Sequence, residues 1–164
     1  MTIKDAFIAE LKHESELTKK ILERVPLQRK DWKPHDKSMS LGRLATHIAE
    51  IPHWISDIIN ISDYDFAAHP FTSHSAASQE ELIQIWKAKL DKALIDLGNS
   101  GDDVFSQAWK LRSGDKVFFE LPKKIVIRTW GLSHLIHHRG QLSVYLRLLN
   151  VPVPGMYGPS ADEK

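Results

Sequence analysis

The sequence contains no cysteine. Disulfides, iron–sulfur clusters, thiolate zinc sites and cysteine nucleophiles are therefore excluded at the outset. It also lacks a charge of one sign: 22 Lys and Arg stand against 21 Asp and Glu, a formal net charge of +1. A surface built to coat nucleic acid or an anionic membrane would carry a marked basic excess, so neither partner is expected. No apolar run approaches the ~20 residues that span a bilayer. The opening Met1-Thr2-Ile3-Lys4-Asp5 lacks the basic-then-apolar layout of a secretion signal, and the expectation is a cytoplasmic protein. At 164 residues the chain has the length of one domain, 1–164. Such a domain buries about 70% of its unfolded surface. What the sequence has in quantity is histidine, nine in all.

Hydrophobic periodicity predicts an all-α protein, a four-helix bundle with a short β-hairpin inserted before the last helix. Residues 2–25 keep Phe7, Leu11, Leu17, Ile21 and Val25 on one side, with Thr2 as cap and Pro26 as stop. Over 41–60, Leu41, Leu44, Ile48, Ile51, Ile55 and Ile58 follow alternating steps of three and four behind the cap Ser40. Pro52 falls inside this run and predicts a kink. Ile61 to Ala77 has little periodicity and reads as a long loop. Ser78-Gln79-Glu80-Glu81 matches a capping box. The stripe from Leu82 to Leu97 follows it, with Gly98 as the expected helix end. Alternation around Ser113-Gly114-Asp115 predicts a hairpin within 107–121. Residues 122–150 then read as one helix, and the Pro- and Gly-rich tail from Val151 as extended chain.

In that last helix the seam runs through Gly131, Leu135, His138, Leu142, Tyr145 and Leu149, so a histidine occupies a core position. His134 lies four residues earlier, and a helix brings i and i+4 onto one face, ~6 Å apart. Two imidazoles so placed can share a metal ion. Nine histidines in 164 residues produce about 0.5 such pairs by chance, so the spacing alone favours a surface or hydrogen-bonded core histidine pair. His47 adds a third: it borders the seam between Leu44 and Ile51, and facing helices bring it to the other two. Three neutral imidazoles suit Zn²⁺, Ni²⁺, Cu²⁺ or Fe²⁺ and leave a coordination position for water or substrate. Imidazole ligation predicts affinity falling below pH ~6.5. His137 is turned ~100° from His138, and His53 points elsewhere from His47. His13, His35, His69 and His74 read as solvated, with His69 or His74 able to swing in from the loop. Arg139 or Gln141 could steady a ligand ring. Gly140, unfavourable in mid-helix, suggests close backbone approach. Trp54 reads either as core or as a wall of a pocket beside the histidines.

Three stretches resemble the DinB/YfiT-like family of small metal-binding four-helix bundles. They are Leu41-Gly42-Arg43-Leu44-Ala45-Thr46-His47-Ile48 with Trp32 upstream, His134-Leu135-Ile136-His137-His138-Arg139-Gly140-Gln141, and Tyr157-Gly158-Pro159-Ser160-Ala161-Asp162. The resemblance implies His47, His134 and His138 as ligands of a divalent metal, Zn or Ni foremost, and a homodimer. Relatives include bacillithiol S-transferases and mycothiol-dependent maleylpyruvate isomerase. The implied function is a metal-dependent enzyme, a thiol S-transferase or a hydrolase, acting with a low-molecular-weight thiol or on a small electrophile. The alternative is a non-catalytic bundle that binds a metal or a small ligand, with His69 or His74 closing the coordination.

Overall fold

The structure, a computed structural model, describes residues 2–70 and 72–163. Helix α1 (Ile3–Leu22) opens with a reciprocal cap: the Thr2 hydroxyl accepts from the Asp5 amide, and the Asp5 carboxylate accepts from the Thr2 amide. It ends three residues before the predicted Val25. Ahead of Pro26 the chain tightens into i→i+3 bonds from Arg24 to Ile21 and from Val25 to Leu22.

The predicted 41–60 helix is two helices, α2 (Leu41–Glu50) and α3 (Pro52–Asn60). Pro52 has no amide hydrogen to give the Ile48 carbonyl, so the Ile51 amide reaches it instead, at 3.3 Å. The six seam residues are at most 1% exposed across both halves. The kink bends the stripe without breaking it.

The 61–77 stretch is not structureless. It carries a short strand, β1 (Asp63–Asp65), parallel to β2 (Ala108–Ser113), which pairs antiparallel with β3 (Lys116–Pro122). The predicted hairpin is present, and Gly114 takes φ 56° at its turn, a conformation that glycine adopts without steric cost. Arg112 holds β1 in place, with Nε 2.9 Å from Asp63 and Nη1 2.6 Å from Asp65.

Helix α4 (Gln79–Asn99) is capped by Ser78, whose hydroxyl accepts from Glu81. The box is only half made, because the Glu81 carboxylate takes the Ala77 amide at 2.7 Å. Gly98 stays inside the helix without a positive φ, and Ser100 is the C-cap.

The last helical stretch departs most from expectation. It runs as α5 (Lys123–Val126), a π-helical segment over Ile127–Ser133, and α6 (His134–Leu148). The i→i+5 turns reset the helical face just before His134. Close approach occurs within this segment and not at Gly140. A Cβ on Gly131 would lie 2.8 Å from Ile55 Cγ1, whereas one on Gly140 meets nothing within 4 Å.

Among the described residues, four main helical stretches and a small mixed sheet make up the fold. α1 and the α2–α3 pair each pack against both α4 and the last helical stretch. The buried interior has one cluster around Leu44, Ile48, Leu135 and Leu142, and a second around Trp54, Ile55, Trp109 and Ile127.

Two glycine substitutions should move stability in opposite directions. Gly131→Ala overpacks against Ile55 and should cost about 1–3 kcal/mol. Gly140→Ala, in open space, should gain about 0.5–1 kcal/mol from helix propensity. Thermal melting reads both: Tm falls for the first and rises for the second.

Candidate metal centre

The packing of α2 on α6 brings the three seam histidines together. His134 Nε2 lies 3.2 Å from His47 Nε2 and 2.9 Å from His138 Nε2. One ligand atom from each ring falls within 4.8 Å of the other two. The three rings meet edge-on or tilted, with centroids 4.6 to 5.0 Å apart, so their nitrogens converge.

A hydrogen bond behind one ring places its proton. Gln141 Oε1 accepts from His138 Nδ1 at 2.7 Å. That leaves His138 Nε2 with a lone pair facing His134 Nε2 at 2.9 Å, where a proton or a shared cation satisfies it. Separations of 2.9 and 3.2 Å would let the three rings reach one ion at metal–nitrogen distances of about 2.0–2.1 Å. The donor set fits a divalent ion.

Burial keeps the rings neutral. It pushes His47 down to about 3, helped by the neighbouring imidazoles and Arg43. It pushes His134 down to about 4, with the His138 charge next in weight. His138 is also lowered by burial, against the raising effect of Gln141. Neutral imidazole is the metal-binding form. The Arg43 guanidinium lies 3.5 Å from His47 Nδ1, held by Glu50 at 3.0 Å and by the His74 carbonyl at 3.1 Å.

Of the other histidines, His69 and His74 lie apart from the trio and His137 packs beside it. His74 pairs with Glu81 at 3.0 Å, and the His69 ring lies against Tyr64. Neither joins the cluster as a fourth ligand; among the described residues it consists of three histidines. His137 is exposed and packs edge-on against His138. With Thr129, Trp130, Ser133 and His134 it lines a cleft of about 400 Å³. Trp54 is 7% exposed and meets Trp130, which in turn meets His134.

Of the two candidate steadying residues, Gln141 holds a ligand ring and Arg139 does not. Arg139 is 2% exposed and donates to the Glu14 carboxylate at 2.5 Å, to Thr18 Oγ1 at 3.1 Å and to the Tyr157 hydroxyl at 2.5 Å. Tyr157 donates in turn to Glu14 at 2.9 Å. This cluster, buried at Glu14, Thr18 and Arg139 and exposed at Tyr157, joins α6, α1 and the tail. Sequence reasoning missed it, since its members lie up to 143 residues apart.

The DinB family model matches residues 1–164. The chain belongs to the DinB family. Among curated proteins this DinB chain is similar to the uncharacterized protein YrdA of Bacillus subtilis (strain 168), 25% identical over 97% of this chain and 90% of that one. Two crystal structures of DinB-like proteins share its fold. The one from Bacillus cereus ATCC 10987 has TM-score 0.71 and 22% identity, covering 93% of this chain and 97% of that one. The other, YjoA of Bacillus subtilis, has TM-score 0.68 and 18% identity, covering 90% and 95%.

Two outcomes follow from the site and its support. Arg139→Ala leaves Glu14 charged and buried without its partner, and should cost about 3–5 kcal/mol, read by denaturant unfolding. In the metal-free protein the depressed imidazoles bind protons in the unfolded chain, near pH 6.5, before they do in the folded one. Stability should therefore fall as pH drops below 6.5, and this loss should level off near pH 3. A variant with all three histidines changed to asparagine should show a shallower fall in Tm over that window.

Proposed function

We propose that His47, His134 and His138 hold one divalent metal ion, Zn²⁺ or Ni²⁺ foremost, and that the protein is a metal-dependent enzyme. The observation that carries this reading is the convergence of three ring nitrogens, with His134 Nε2 3.2 Å from His47 Nε2 and 2.9 Å from His138 Nε2. A bound divalent ion supplies Lewis acidity, lowering the pKa of a thiol or water that occupies an open coordination position. The three rings hold the ion at their Nε2 atoms. Gln141 keeps the His138 proton on Nδ1 and orients that ring. Trp130 forms a wall of the cleft beside His134. The cleft of about 400 Å³ beside His134 gives access to a small molecule.

The reactions proposed are thiol S-transfer, with a low-molecular-weight thiol and a small electrophile, or hydrolysis. The helices are read as a four-helix bundle forming one domain, the working unit as a homodimer, and the location as cytoplasmic. No helix is long and apolar enough to cross a membrane. The near-neutral charge supports partners other than nucleic acid. A purely structural ion would be closed by a fourth protein ligand, and the positions of His69 and His74 give that alternative no support.

Zinc loading followed by desalting and elemental analysis tests the reading. Wild type should keep about one equivalent at pH 7, and His138→Ala under about 0.2. Gln141→Ala should bind about tenfold more weakly. Burial moves proton competition below the range of a free imidazole, so the ion should be retained at about pH 5.5 and lost only as pH falls to about 3. Zinc content equal in wild type and His138→Ala would refute the assignment.

A further inference from the structure

A second cleft, of about 190 Å³, opens beside α3 and β1, lined by Glu50, His53, Trp54, Tyr64, Phe66 and His69 among others. Its walls are aromatic rings in mutual contact, with centroids 4.9 Å apart for Trp54 and Tyr64, 5.4 Å for Tyr64 and Phe66, and 6.2 Å for Trp54 and Phe66. Such a set offers both faces and edges to an incoming ring. An apolar cavity of about 150 Å³ holds one benzene molecule. The volume here therefore suits a single ring with one small substituent.

The polar groups at the cleft restrict what that substituent can be. His53 Nδ1 donates to the Glu50 carbonyl at 2.7 Å, and His69 Nδ1 donates to the Asp65 carbonyl at 3.2 Å. In its neutral form each imidazole then has Nε2 as an acceptor. Two carboxylates stand close by: Glu50, paired with Arg43, and Asp57, 3.9 Å from His53 Nε2. Acceptors and carboxylates favour a ligand that donates hydrogen bonds, and they repel a ligand carboxylate. The cleft is joined to the histidine trio by rings in contact. Trp54 lies 5.3 Å from Trp130, and Trp130 lies 6.1 Å from His134. Glu50 is one helical turn beyond His47.

We propose that this cleft binds a monocyclic aromatic compound bearing a hydroxyl or amino donor, and presents it beside the three histidines as the small substrate. The presentation step rests on the metal-site reading above; the binding step does not. Nuclear magnetic resonance of the metal-free protein, following the five indole N–H signals during titration with phenol, separates the two. Phenol and aniline should shift the Trp54 and Trp130 signals saturably, with Kd on the order of millimolar. Trp32 and Trp86 should stay unmoved. Benzoate and cyclohexanol should bind at least about fivefold more weakly. His69→Ala, at an exposed position that leaves the fold intact, should weaken phenol at least about threefold. No saturable shift, or equal binding of benzoate or cyclohexanol, overturns the proposal. Repeating the titration after zinc loading shows the metal site separately: phenol binding without zinc retention sustains the cleft and refutes the trio, and zinc retention without phenol binding does the reverse.

Discussion

Three imidazole nitrogens converge in a half-buried notch between α2 and α6, with His134 Nε2 2.9 Å from His138 Nε2 and 3.2 Å from His47 Nε2. Burial disfavours the charged rings, pushing His47 down to about 3 and His134 down to about 4. Neutral rings so placed can share a proton between neighbouring nitrogens or hold a divalent cation together. Folding brings these nitrogens to one point, and that convergence is what gives the site its proposed chemistry.

The rest of the molecule serves to hold that geometry. The π-helical turns end at Ser133, so the α-helical phase that pairs His134 with His138 begins at His134 itself. The missing side chain at Gly131 lets Ile55 settle against those turns, docking α3 on the stretch that leads into the site. On the far side Arg139 pins α6 to α1 through Glu14, and Tyr157 closes the tail over the pair. A site of this kind needs its rings fixed by packing and by hydrogen bonds behind them. Gln141 provides this for His138, and the Trp130 ring packs against His134.

Features with a short sequence period were legible before the structure. The steps of three and four through Leu41 to Ile58 and through Gly131 to Leu149 picked out the buried faces, and they placed His47, His134 and His138 on or beside them. The turn at Gly114 was legible because few residues tolerate its φ. What was missed lacks such a period. β1 is three residues long and ordered by Arg112, which lies 49 positions from Asp63. The π turns carry no residue signature. Glycine's cost in a helix singled out Gly140, while the tight contact lies at Gly131, since only the partner helix decides which glycine is approached. The capping box at Ser78 went half unmade because Glu81 found the Ala77 amide and His74 instead.

The histidine side-chain nitrogens themselves give the most direct test. Long-range ¹⁵N–¹H correlation of the imidazoles, recorded with and without one equivalent of zinc, reports which nitrogen of each ring is bound and which is protonated. The account predicts that Nε2 of His47, His134 and His138 all move to metal-bound values, with the protons of His134 and His138 on Nδ1. Movement of fewer than three rings, ligation through Nδ1, or a response confined to other histidines would contradict it.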